Sequence, residues 1–198
     1  IRFPSDGKTR QCRYSRAAHS PATAAAALRE MLTHTRARLP GVKLSICTFG
    51  LTTSVDNGMG IGQLLGDMAN LVDYVSPMMY PSHYAKGEYG LKNPNRQPYL
   101  TIHRGIKDAL LRLGGAPRTL RPYLQDFSLG ARYTPAHVRA QILAAEEQGV
   151  RGWILWNAQN RYSWSAIQAG PIGRFPTTNG GGTSSPYGSV VRPEKETP

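Results

Sequence analysis

The sequence predicts an α/β fold built on a parallel sheet. Short runs of strand-like composition alternate with amphipathic helical patterns up to about residue 168. Two of those runs, Leu120-Arg121-Pro122-Tyr123-Leu124-Gln125-Asp126-Phe127 and Gly152-Trp153-Ile154-Leu155-Trp156-Asn157-Ala158, flank one good helical segment, the pattern of a βαβ unit. Both runs end in polar groups, and the carboxyl ends of parallel strands are where α/β folds place their chemistry. Five strand-like runs can be read, alternating with four helices and followed by one more short helix. Five strands cannot close an eight-stranded barrel. The order therefore fits either an open doubly wound sheet or the later part of a (β/α)8 barrel whose first three strands lie outside the chain.

Each element has a local reason. Ile1-Arg2-Phe3-Pro4 reads as the tail of a strand, Ser5-Asp6-Gly7 as a turn, and residues 8–19 as a polar, basic loop. Ser20 is the N-cap of a helix with Pro21 at its first position; Leu28, Leu32 and Leu39 recur on one face, and Pro40-Gly41 stops it. Residues 42–49 form a strand in which Val42, Leu44 and Ile46 alternate, which puts Cys47 in an apolar strand as a core residue. After a Gly-containing loop, Ile61, Leu64, Leu65, Met68 and Val72 mark a short helix. Residues 73–80 are the next strand, with Met78 and Met79 in the core, and its internal Pro77 argues for a bulge or an edge. The long loop 82–98 carries Tyr84 and Tyr89 and runs up to Tyr99. Loops of that length in compact domains are usually functional or disordered, and aromatic content favours function. Ile102, Ile106, Leu110 and Leu113 mark a helix closed by Gly114-Gly115, and residues 119–127 a strand. Thr134-Pro135 repeats the cap signal before Val138, Ile142 and Ala145. Residues 151–157 are the last strand, and 162–168 a final short helix. Residues 1–175 thus read as one folded unit, and 176–198, rich in Thr, Gly, Ser and Pro, as a flexible tail.

Bulk composition narrows the function classes. With 198 residues, 40% hydrophobic and 18% charged, the chain can bury a real core. No apolar run is long enough to span a bilayer. The chain opens on Ile1 without a signal-like region, so it reads as an internal piece of a longer protein. Its net charge of +12 has two readings: a polyanionic partner, or a composition rich in Arg. The basic residues are scattered, with no dense run and no interleaved aromatic platform, so no nucleic-acid partner is expected. Cys12 and Cys47 form no metal-ligand spacing, which argues against a zinc site; whether they pair is open.

Four motifs follow one another at successive strand ends. They are Arg2-Phe3-Pro4-Ser5-Asp6, Ser76-Pro77-Met78-Met79-Tyr80-Pro81-Ser82-His83-Tyr84, Arg121-Pro122-Tyr123-Leu124-Gln125-Asp126-Phe127 and Gly152-Trp153-Ile154-Leu155-Trp156-Asn157-Ala158. Together they resemble domain-of-unknown-function family 4015, bacterial glycoside hydrolase-like proteins built on a TIM barrel. The resemblance runs from Ile1 to about Tyr162. It implies an incomplete (β/α)8 barrel lacking the first three strands, with residues 42–49, 73–80, 119–127 and 151–157 as strands five to eight. It also implies a polysaccharide substrate and a secreted or cell-envelope setting; no cofactor or metal is expected. In the family, the first motif reads Phe-Asp-Tyr-Ile-Arg-Phe-Pro. Its Asp would lie just before Ile1, so the fragment alone is expected to be inactive.

Glycoside hydrolysis usually needs two carboxyl groups flanking the scissile bond. Of the twelve acidic residues, Asp126 alone stands at the carboxyl end of a recognisable strand, making it the catalytic candidate, against a structural role capping the next loop. Strict alternation places Arg121, Tyr123 and Gln125 on one face and Asp126 on the other. Gln125 is then the residue facing a substrate, and Asp126 serves only where the strand flares at its tip. Tyr80, His83 and Tyr84 form a sugar platform after strand six, because aromatic rings stack on the apolar faces of pyranose rings. Trp153 and Trp156 lie on opposite faces of strand eight: one packs against helices, while Trp156 forms a floor and Asn157 a hydroxyl partner. Arg2 either holds a carboxylate in place or makes a structural pair. Met78-Met79-Tyr80-Pro81 also resembles the Met-x-Tyr-Asp of family-18-type chitinases, but Pro81 replaces the acid, so substrate-assisted chemistry is not supported. The sequence thus reads as part of a glycoside hydrolase, or as a carbohydrate-binding barrel that does not cleave. A basic adaptor for nucleic acid or an anionic wall polymer is the weaker third reading.

Overall fold

The computed structural model describes residues 20–168. The strand expected at residues 1–4, Arg2, Cys12 and the tail 176–198 lie outside the described residues. Four strands form one parallel sheet in the order β1 (Ser45–Phe49), β2 (Tyr74–Met79), β3 (Tyr123–Gln125) and β4 (Ile154–Trp156). Each lies inside its predicted stretch but is shorter. Val42, half exposed, precedes β1 rather than opening it.

Pro77 does not mark an edge or a bulge. β2 lies between β1 and β3, and Pro77 pairs in register with Thr48. The β2–β3 offset is 45 residues both at the Val75–Leu120 bridge and at Met78–Tyr123, so no residue is inserted. Between those two points stand Pro77 and Pro122, neither of which has an N–H to donate. The ladder is interrupted where the prolines meet, and its register is kept.

The helices are α1 (Pro21–Arg38), α2 (Leu65–Ala69), α3 (Pro98–Arg112), α4 (Pro135–Glu146) and α5 (Trp164–Gln168). α1, α3 and α4 each begin with proline, whose fixed φ and missing donor suit that place. Ser20 and Thr23 close a reciprocal capping box on α1, with bonds of 3.1 and 2.9 Å. Leu28 and Leu32 are buried as the helical face predicted, but Leu39 is the C-cap and points outward. α2 starts later than expected, because Gly58, Gly60 and Gly62 hold positive φ and keep the chain turning past Ile61.

Leu28, Leu32, Leu65, Met68, Ile102, Ile106, Val138, Ile142 and Ala166 pack in one cluster with Ile46, Val75, Met79 and Leu124 of the strands. All five helices therefore contribute to the layer on one face of the sheet. Among the described residues the strand order is sequential and the helices share one face, so the helices on both faces and the switch point of the doubly wound alternative are not found there. The other face carries Ser45, Cys47, Ser76, Met78 and Tyr123. There the Ser45 and Ser76 hydroxyls are 3.0 Å apart, and the Cys47 thiol points at the Tyr123 hydroxyl at 3.7 Å. Cys47 is exposed rather than core, because it is Ile46 and Thr48 that face the helices.

Asp73 ties the amino end of the sheet together. It accepts from Arg36 of α1 and from Lys43 at 2.7 Å each, and from the Leu44 N–H at 2.9 Å. Those donors, Lys43 first, hold its carboxyl far below the usual carboxylate range. Among the described residues, no helix is long and apolar enough to cross a membrane.

Candidate functional site

The strand register builds a rim. Met79 pairs with Leu124, so Tyr80, one step on, stands opposite Gln125; Gln125 in turn pairs with Trp156. Alternation puts these three on the face turned away from the helices, at the carboxyl ends of adjacent parallel strands. Trp156 is 45% exposed there. Trp153 goes to the other face, where it packs against the core and points its indole N–H toward Glu146.

After β2, Pro81 starts a tight helical turn that brings His83 back over Tyr80. Their rings meet edge-on with centroids 5.4 Å apart. Phe127, just past β3, completes the group at 5.5 Å from Tyr80 and 6.1 Å from His83. His83 is exposed and its Nδ1 is fixed by the Ser82 hydroxyl at 3.0 Å. Burial pushes the Tyr80 phenol well above its usual range, so it stays a neutral hydroxyl at physiological pH. Next to this group, a cleft of about 220 Å³ opens, lined by Phe49, Met59, Met78, Tyr80, His83 and Tyr84 among others. That volume is below the roughly 300–1,000 Å³ of ligand pockets, so the cleft by itself has room for only a small group. Met78 lines it rather than filling the core; Met79 is the core methionine.

Tyr84 is buried beneath the cleft. Its phenol is raised well above the ordinary value by burial, reinforced by Tyr89, whose ring lies 5.5 Å away. The Tyr84 hydroxyl lies over Gly50 so closely that a Cβ there would sit 2.5 Å from it and 2.6 Å from the Met78 carbonyl. Gly50 is thus required by close approach.

Gln125 is fully buried, and most of its bonding capacity is used by the protein. Its Oε1 accepts from the Ser82 N–H at 3.0 Å, and its Nε2 donates to the Phe127 carbonyl at 2.8 Å. From α4, the Gln141 amide reaches the Gln125 backbone on both sides: Oε1 accepts its N–H at 2.9 Å, and Nε2 donates to its C=O at 2.8 Å. Fully buried, Gln125 presents no surface to a ligand, so the substrate-facing role expected from strand parity gives way to a structural one. The residue fixes the turn that carries His83 to the end of β3.

Asp126 is 5% exposed. Its Oδ2 accepts from the Ser163 N–H at 2.7 Å and its Oδ1 from the Ser163 hydroxyl at 2.8 Å. Its N–H donates to the Trp156 carbonyl at 3.0 Å, and Asn157 Nδ2 donates to its carbonyl. Both carboxylate oxygens are thus turned to the residue that precedes α5. Asn157 is occupied likewise, its Oδ1 accepting from the Gln159 N–H at 2.8 Å.

Tyr80, His83, Tyr84, Gln125 and Trp156 come together at the carboxyl end of the sheet, with Asp126 and Asn157 behind them as ties between β3, β4 and α5. Sequence reasoning passed over Phe127, although it closes the Leu124-Gln125-Asp126-Phe127 motif, and over Ser163 and Gln141. Among the described residues, no group of three or more His, Cys, Asp or Glu is placed to hold a metal ion.

The sequence profile of domain-of-unknown-function family 4015, described as "Putative glycosyl hydrolase domain", matches residues 1–162. The chain belongs to this family. The motifs of β2, β3 and β4 in this glycosyl hydrolase-like chain are the segments that supply the rim. A similar solved structure is the glycoside hydrolase domain of PgaB (BpsB) from Bordetella bronchiseptica, with a TM-score of 0.51 and 16% identity. The match covers 69% of this chain and 38% of that structure, and at that identity it speaks to fold alone. No curated protein sequence matches the chain.

Proposed function

We propose that this chain supplies strands five to eight of a (β/α)8 barrel that holds a glycan across the carboxyl ends of its strands, as part of a glycoside hydrolase. The observation that carries this is the single register row Tyr80–Gln125–Trp156 with the Tyr80–His83–Phe127 ring cluster beside it. The half-exposed Trp156 ring and the partly exposed Phe127 ring offer the apolar faces that pyranose rings stack on, while the Tyr80 and His83 side chains lining the cleft supply hydrogen bonds to sugar hydroxyls. Family membership and the PgaB likeness support the same reading.

Hydrolysis needs two carboxyl groups. On this reading Asp126 is one and an Asp upstream of Ile1 is the other; Asp126 acts when Ser163 releases an oxygen toward the rim. The observed pairing of both Asp126 oxygens with Ser163 favours a second reading, in which the domain binds carbohydrate without cleaving it. The two readings separate in one experiment. Reducing-end release from a polysaccharide panel is measured for the protein extended upstream of Ile1, with and without Asp126→Asn. A loss of about 100-fold or more at unchanged glycan affinity supports catalysis by Asp126. Unchanged turnover removes Asp126 from the mechanism, and saturable binding with no reducing ends released supports the binding domain.

A further inference from the structure

The sheet face that carries the rim has a second cleft at its amino end, of about 240 Å³, lined by Tyr74, Arg118, Leu120, Arg121, Arg151 and Gly152. Tyr74 opens β2, and Arg121 and Gly152 stand two residues before β3 and β4, side by side if the β3–β4 register is extended. Arg121 is held on a shelf. Its guanidinium carbon lies 5.1 Å from the centre of the Tyr74 ring, within cation–π range. Its stem runs alongside Gly152, where an added Cβ would be in ordinary contact, 3.6 Å from its Cγ and Nε.

Arg118, Arg121 and Arg151 have no carboxylate partner among the described residues. Several of the described acids are engaged elsewhere: Asp56 with Arg112, Asp67 with Arg29, Asp73 with Arg36 and Lys43, Glu146 with Arg139, and Asp126 with Ser163. Three guanidinium groups around one small cleft repel one another and concentrate positive potential there, so an anion entering it lowers the energy of the whole group. The planar forks of arginine match the paired oxygens of phosphate and carboxylate.

We propose that this cleft is an oxyanion-binding site, taking a phosphate or the carboxylate of an acidic sugar between Arg118, Arg121 and Arg151. It is separate from the rim: Arg121 and Gln125 are four strand residues apart, about 13 Å. The proposal does not depend on the carbohydrate reading of the rim.

The test is calorimetric titration of the 198-residue chain with inorganic phosphate, with glucuronate and with neutral glucose, at 0.15 M salt. One saturable site for phosphate or glucuronate, and none for glucose, is expected; the tighter of the two anions names the source of the oxyanion. Arg121→Gln and Arg118→Gln each weaken that site about tenfold or more, the factor that ~1.4 kcal/mol represents, as loss of a charged hydrogen bond requires. Arg132→Gln, an exposed arginine outside the cleft, leaves it unchanged. All three side chains are exposed, and circular dichroism confirms that each variant is folded. Absence of a saturable site in folded protein, or equal weakening by Arg132→Gln, overturns the proposal in favour of diffuse attraction to a basic chain.

Discussion

Replacing Asp126 by alanine should destabilise the protein well before it says anything about chemistry. The side chain is nearly fully buried and accepts two hydrogen bonds from Ser163, at 2.7 and 2.8 Å. Bonds to a charged acceptor contribute about 1.5–3 kcal/mol each, and an orphaned buried N–H costs about 1–3 kcal/mol. The Ser163 hydroxyl can turn to another partner, so the loss is dominated by the N–H and by one charged bond, about 3 kcal/mol in all. For a chain of this size, ~1 kcal/mol lowers the melting temperature by about 2–4 °C, so Asp126→Ala should melt about 6–12 °C below wild type. Urea denaturation should give the same difference as a shift in midpoint at unchanged slope. Asp126→Asn keeps both contacts with neutral partners and should lose about half as much. A cycle with Ser163→Ala should return a coupling within the range of about 0.5–3 kcal/mol seen for contacting pairs. An Asp126→Ala protein as stable as wild type refutes the tie between β3 and α5, and with it the geometry of the rim at its β4 end.

Two other outcomes follow from the same bonds. Gln141→Leu keeps the bulk but strands the buried N–H and C=O of Gln125, so it should cost about 2–6 kcal/mol in urea titration, far more than a surface substitution. Asp73 titrates far below its unfolded range in the folded protein, so the stability it contributes is present above about pH 4, its unfolded value, and fades as acid drives the pH down toward the folded value. The melting difference between wild type and Asp73→Asn should therefore be largest near neutrality and shrink below about pH 4; a gap that stays constant down to pH 2 contradicts the assignment.

The helices were legible because their signals are local. Ser20-Pro21 and Thr134-Pro135 set their own N-termini, and Leu28, Leu32, Val138 and Ile142 face the core at the spacing the sequence shows. Strand location was legible and strand length was not, since pairing depends on a neighbour's donors: β3 is cut short beside Pro77 and Pro122, which lie 45 residues apart in sequence. Cys47 was misplaced because an apolar-looking strand with one face away from the helices gives no local sign of which residues turn that way. The row Tyr80–Gln125–Trp156 could be anticipated, because each residue ends a strand and parity fixes its face. What Asp126 touches could not. Its partner Ser163 comes after β4, and nothing in the sequence near either residue announces that the chain folds back between them.

The measurement that bears most directly on the central claim is the affinity of the chain for oligosaccharides from a panel of polysaccharides. It is taken by calorimetry on wild type, Trp156→Ala and Tyr80→Ala, with exposed Trp164→Ala as the control. A glycan lying across β2, β3 and β4 predicts saturable binding to at least one oligosaccharide, weakened about tenfold or more by both rim substitutions and little by the control. Binding that survives both rim substitutions unchanged contradicts the account.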